Sequence, residues 1–226
     1  MIMRDRVFTT KDKSGKDLVL EFRKPSQTVL NRAELVFKKT FSNCFREGIL
    51  TSAEVEKLLR ARGMWNDEKE LEGSVLQIKI AELESKLDDK SLDEAEARLI
   101  AEELVMLRSQ LMAHNEPIVS VAENTCESVG NEERNQFLIT QCIYHKKTGF
   151  RVYRSVEEFK NRAEEQAAAD SYKEVMIASL EVIMGKELES DLSQIYSENR
   201  WLSKHMPKEP EIKEKSKKKK KAKKSA

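Results

Sequence analysis

Cys142 and His145 stand three positions apart in the run TQCIYHKKTGFRVYRS, residues 140–155. Two metal ligands, or a nucleophile and its base, can share such a spacing. Structural zinc needs four ligands, and catalytic zinc three and a water. Only Cys44, Cys126, His114 and His205 remain to complete a set, and none makes a second pair at short spacing. If residues 143–145 are extended, successive side chains point to opposite faces, so Cys142 and His145 diverge. A Cys–His nucleophile would also need an oxyanion hole and an orienting third group, and no recognisable motif supplies them. The chain has no Walker phosphate loop and no GxGxxG after a strand. The expectation is therefore a buried cysteine and an exposed histidine, with no catalytic residue, no metal and no cofactor.

The remaining candidate for chemistry is electrostatic. Residues 213–226, KEKSKKKKKAKKSA, hold nine lysines and one glutamate, a net +8, so the other 212 residues carry −7 of the chain's overall +1. Lys217, Lys218, Lys219, Lys220, Lys221, Lys223 and Lys224 are the candidate contacts to a nucleic acid or an acidic partner. Clustered lysines attract phosphates by counterion release without reading sequence. No aromatic residue interleaves with them, so a stacking platform for single strands is not indicated.

The elements that would carry such sites are mostly helical. Hydrophobic residues make up 39% of the 226 and charged ones 36%, with seven glycines and four prolines. That balance favours helices with broad solvated faces over a thick core, and an elongated shape. Three widely spaced cysteines argue against a disulfide framework and for a reducing compartment. No apolar run approaches the length of a membrane span, and MIMRDRVFTT lacks the apolar core of a signal peptide. A soluble, intracellular protein is expected, with no membrane partner.

Along the chain, VFTTKDKSGKDLVLEFR (residues 7–23) reads as a β-hairpin with Gly15 in its turn and Leu18, Leu20 and Phe22 on one face. Such a hairpin is marginal alone and should dock on something. Residues 27–47 read as a helix with Leu30, Leu35, Phe37, Phe41 and Phe45 as its apolar stripe. Thr51 and Glu54 form a capping box that opens a second helix, stopped at Gly63. This helical pair lacks a visible base-reading set.

Residues 66–113 hold two equal seams. Leu76, Ile80, Leu83 and Leu87 step by four, three and four, and so do Ile100, Leu104, Leu107 and Leu111. A short turn with a second capping box, Ser91 and Glu94, joins them, which predicts an antiparallel helical hairpin. These eight residues are the candidate partner-binding set, with mutual closure of the hairpin as the alternative. A break is expected at Asn115–Pro117. Ile118, Ala122, Thr125 and Val129 then step helically, with Gly130 weakening or bending the helix beyond it. A turn at Thr148–Gly149 leads into an alternating strand, with Phe150, Val152 and Ser155 opposite Arg151, Tyr153 and Arg154. Ser155 and Glu158 form a third capping box, opening a helix through FKNRAEEQAAA. Another helix spans Ser171 to Met184, with Val175, Ile177, Leu180, Ile183 and Met184 on its apolar side and Gly185 as its stop. Leu188, Leu192, Ile195 and Tyr196 mark a last short helix before ENRWLSKH, and disorder is expected beyond Pro207.

Three stretches resemble a poorly characterised protein family of contractile-tailed bacteriophages, especially those of marine cyanobacteria. FLITQCIYHKKTGFRVYRSVEEFKNR is similar to its run of an aromatic and a leucine before a cysteine, then a tyrosine, a TG turn, an aromatic strand and a helix start. FREGILTSAEVEKLLRARGMWNDEKE and SENRWLSKH resemble its flanking segments, in the right order across most of residues 27–206. The lysine run replaces the longer C-terminal region seen in many members. The resemblance implies a non-enzymatic virion structural or tail-assembly protein, chaperone-like in action, in the host cytoplasm during assembly and in the virion. The implied partners are other phage structural or tail proteins; the apolar seams add a second copy of the chain as a partner, and the lysine tail adds weak, non-specific nucleic-acid contact. A nucleic-acid-associated adaptor using that tail is the alternative function. The expected architecture is mainly α: a β-hairpin at 1–25, a helical pair at 26–65, the helical hairpin at 66–113, an α-rich part with a short β element at 114–206, and a basic tail at 207–226.

Overall fold

The computed structural model describes residues 4–88, 92–184 and 196–205. It is mainly helical with one small antiparallel sheet. Strands β1 (Arg6–Lys11) and β2 (Asp17–Phe22) pair in the register Arg6–Phe22 to Lys11–Asp17. Their turn holds Gly15 at φ +78°, while the Asp12 carboxylate accepts the backbone N–H groups of Ser14 (2.8 Å) and Lys16 (3.0 Å). A third strand, β3 (Ile143–His145), adds to β2 through the pairs Leu20–His145 and Phe22–Ile143. The two β elements expected separately thus form one sheet of order β1-β2-β3.

Helix α1 (Gln27–Arg46) lies along α5 (Cys126–Cys142), and α2 (Ser52–Ala61) leans on α4 (Glu94–Ala122). Ser26 caps α1, and the Thr51–Glu54 capping box forms at α2 as the sequence predicts. The face that α1 buries is rotated from the expected stripe. Ala33 and Cys44 are buried and Leu30, Phe37 and Phe41 half-buried, whereas Leu35 and Phe45 are exposed. At 100° per residue, 30, 33, 37, 41 and 44 fall within an arc of about 80°, with 45 just beyond its edge and 35 on the far side.

Helix α3 (Asp67–Leu87) and α4 form the antiparallel hairpin: Gly73 meets His114, and Glu84 meets Arg108. Asp93 stands at the N-cap position of α4 without a side-chain capping bond, so the helix starts after the expected Ser91 box, and Ser91 lies outside the described residues. The break at Asn115–Pro117 does not occur, and the boundary expected at residue 113 falls inside α4. Pro117 sits within the helix. An interior proline costs about 3 kcal/mol or more in lost bonding and crowding. Packing on both sides offsets it: Ile118 and Val121 lie against Val55, Leu59 and Trp65, and Trp65 lies 5.3 Å from the His114 ring. The chain turns instead at residues 123–125, where Thr125 caps α5.

Gly130 does not weaken α5. It is buried where α1 crosses, and a Cβ there would stand 2.9 Å from the Phe37 ring. After β3 the chain turns at Gly149, φ +70°. Strict alternation then fails: Phe150 is exposed, while Val152 and Tyr153 are both buried. Tyr153 packs edge-on against Phe159, at 5.1 Å and 89°. Ser155 caps the short α6 (Val156–Asn161), but Glu158 reaches back to the Arg154 N–H rather than closing a box on Ser155. α6 stops at Asn161, well before the expected end, and α7 (Gln166–Met184) begins earlier than Ser171. Along α7, Val175 and Ile177 are buried and Ile183 is exposed.

The sheet docks on α7. Arg6 and Thr10, two strand periods apart, face Asp170, Glu174 and Glu181 on one side of that helix. The principal core joins Leu20 and Phe22 of the sheet to Leu138, Ile139 and Cys142 of α5 and to Val175 and Ala178 of α7. Finally, ENRWLSKH is itself helical, in α8 (Ser197–His205), and packs on the α3–α4 hairpin. Gly185, Leu188, Leu192 and Ile195 lie outside the described residues.

Candidate functional site

Cys142 closes α5 and is 1% exposed among Phe22, Pro25, Leu138, Val175 and Ala178. Burial pushes its thiol up to about 12, with only a small opposing pull from Arg151. The thiolate is the reactive form, so this environment is inert. His145 is half-buried rather than exposed: it pairs with Leu20 in the sheet, and its N–H donates to the Phe150 carbonyl at 2.8 Å. The helix ends and the strand begins between the two residues. Among the described residues no three His, Cys, Asp or Glu side chains are placed to hold a metal. The chemical-looking stretch is a helix end, a strand and a turn.

The eight seam residues are brought together, but with one another. Leu104 is fully buried, Ile80, Leu87, Ile100 and Leu107 are nearly so, and Leu76, Leu83 and Leu111 are half-buried beside them. Burying one such side chain contributes about 1.5–3 kcal/mol. Trp201 and Leu202 of α8 cover the same cluster. Above them Arg108 binds Glu84 and Glu198 and lies 3.9 Å from the Tyr196 ring centre. The inner seam is therefore occupied within the chain.

A second apolar stripe lies on the opposite side of α3. Leu71, Val75 and Ile78 are spaced four and three apart and are 66%, 41% and 58% exposed. At 100° per residue they sit on the far face from Ile80 and Leu83. Their spacing was readable in the sequence, but the stronger Leu76 series masked it.

Two features were missed because they join distant segments. The first is a buried ion cluster: the Arg6 guanidinium meets Glu174 (Nε–Oε2 2.8 Å) and Glu181 (Nη1–Oε2 2.9 Å), both far along the chain, and lies 5.2 Å from the Phe22 ring centre. Glu174 and Glu181 sit seven apart on one face of α7, which was the available signal. The second is a groove of about 490 Å³ between α5, α6 and α7, lined by Glu132, Gln136, Phe159, Lys160, Tyr172 and three alanines. Glu132 accepts from Gln136 Nε2 (2.7 Å) and from the Tyr172 hydroxyl (2.6 Å). Burial, and then the bond to Glu132, raise the Tyr172 pKa, so the phenol stays protonated and donates.

Lys217 to Lys221, Lys223 and Lys224 lie outside the described residues. Among the described residues no helix is long and apolar enough to cross a membrane. Neither a protein-family model, nor a curated protein, nor a solved structure matches the chain.

Proposed function

We propose that this chain is a non-enzymatic protein-binding component, acting as a structural or tail-assembly protein of a contractile-tailed bacteriophage. The phage assignment rests on the motifs that resemble that family. The protein-binding assignment rests on the outer stripe of α3. Leu71, Val75 and Ile78 repeat the four–three spacing with which the inner seam receives α4, so the face is shaped to receive one more helix. A second copy of α3 offers that helix with the same spacing and is the simplest occupant. The buried, protonated Cys142 supports a non-enzymatic reading.

Light scattering after gel filtration tests this on the full chain and on the triple variant Leu71→Ser, Val75→Ser, Ile78→Ser. Self-association that the substitutions abolish and salt leaves unchanged is expected. A monomer for both proteins would remove the outer stripe as an interface. Retention of the intact chain on DNA, lost when Lys217–Lys221, Lys223 and Lys224 become glutamine, would favour the adaptor function.

A further inference from the structure

The groove between α5, α6 and α7 carries an unmet demand for a cation. Glu132 is a half-buried carboxylate whose oxygens receive only neutral donors, the Gln136 amide and the Tyr172 hydroxyl. Among the described residues no lysine, arginine or histidine pairs with it. Lys160, on the same wall, is engaged by Glu133. Beside Glu132 the Gln136 residue is only 8% exposed, and its Oε1 accepts no hydrogen bond. A buried acceptor left unmet costs about 1–3 kcal/mol. The Glu132 carboxylate therefore stands over a sealed, unmet acceptor in a site whose other walls are Phe159, Ala163, Ala168 and Ala169.

An alkylammonium group fits that combination. Its methylenes would lie along the alanines, and its N–H donors would reach the half-buried Glu132 carboxylate. A guanidinium fits less well, because a forked donor suits a carboxylate whose oxygens are both free, and these already accept. We propose that the groove binds a lysine side chain, and that the occupant is a lysine of this chain's own segment 213–226.

Charge argues for that source. The segment carries +8 and the rest of the chain −7. Length argues for it too. Lys213 and Lys224 stand 8 and 19 residues beyond His205, the last described residue. Extended chain spans about 3.3–3.6 Å per residue, which gives the segment the reach of a domain diameter. The groove of the same chain and that of a second copy are both served by one chemistry.

Zero-length carbodiimide coupling of the full chain, read by mass spectrometry, tests the proposal. An amide between Glu132 and a lysine of residues 213–224 is expected, weakening as salt rises and absent in Glu132→Gln. Adding the peptide KEKSKKKKKAKKSA to a chain whose seven tail lysines are glutamine should shift the Gln136 side-chain amide resonances. Cross-links spread over the exposed glutamates without preference for Glu132, or a peptide that leaves Gln136 unmoved, would overturn it. A shift with n-butylammonium but none with the peptide would rule out the tail as occupant. Circular dichroism of Glu132→Gln separates a lost site from a lost fold.

Discussion

Arg108 on α4 and Glu198 on α8 form an ion pair across the open side of the helical hairpin, 90 residues apart in sequence. Glu198 is 1% exposed, and Arg108 also holds Glu84 and lies against Tyr196. Removing the guanidinium takes a charge-assisted bond from a buried carboxylate, and breaking a buried pair by deleting one member costs up to about 3–5 kcal/mol in a fixed structure. Here α8 can undock instead, so the loss is capped by the free energy that holds α8 in place. Arg108→Ala is expected to expose residues 197–205 while the α3–α4 seam stays closed. Native-state hydrogen exchange reads this directly. Equal protection of α8 in both proteins would show that the Arg108 ion pair does not hold it.

Gly130 and Phe37 make a second such contact, between α5 and α1. On an exposed helix, Gly→Ala stabilises by about 1 kcal/mol. At Gly130 the new Cβ would stand 2.9 Å from Phe37 Cδ2 and 3.4 Å from the Phe37 carbonyl oxygen. The carbonyl distance is an ordinary contact, but the half-buried ring must shift to admit the Cβ, and overpacking of this kind costs about 1–3 kcal/mol. Gly130→Ala is expected to lower the urea midpoint. A variant as stable as the parent would mean that α1 slides to make room.

Local patterns were legible where one segment decides its own structure. The Thr51–Glu54 box and the Gly15 turn depend on contacts within a few residues, and the two four–three seams lie in neighbouring helices joined by a short turn; all form as the sequence implies. The misreadings come from contacts between distant segments. Pro117 carries a strong local signal for a break that Trp65, Val55 and Leu59 override. Leu35 looked like core only until α5 fixed which face of α1 turns inward. The Glu132 groove joins three helices that no periodicity relates. Cys142 and His145 misled because their spacing straddles the end of one element and the start of another.

Acid should weaken the turn between α6 and α7. Arg162 grips Glu165 through two bonds (2.8 and 2.9 Å), with Lys13 at 3.1 Å, and these hold the Glu165 carboxyl below its ordinary value of 4.5 against the opposing effect of burial. A carboxyl depressed on folding contributes stability above its unfolded pKa and loses it as pH falls through the folded value. The same Arg162 donates to the Val152 carbonyl at 3.2 Å and lies 5.0 Å from the Tyr153 ring centre. Glu165→Gln should therefore melt below the parent at pH 7, with the gap narrowing as pH drops below 4.5. Parallel melting curves across that window would mean that Glu165 does not titrate with the fold.

Cys142 supplies the sharpest test of the non-enzymatic reading. With its thiol pushed up to about 12 by burial, a fraction on the order of one in ten thousand is thiolate at pH 8. Cys44 and Cys126 are buried as well. An aromatic disulfide reagent is expected to label none of the three faster than the protein unfolds, and all three in urea. Cys142→Ser should destabilise by up to about 3 kcal/mol, because a hydroxyl would be buried among Phe22, Leu138 and Val175, with Ser179 the polar side chain lining the same pocket. Rapid labelling of Cys142 in the native chain would mean that the helix end opens, and a nucleophile at this position would then return to consideration.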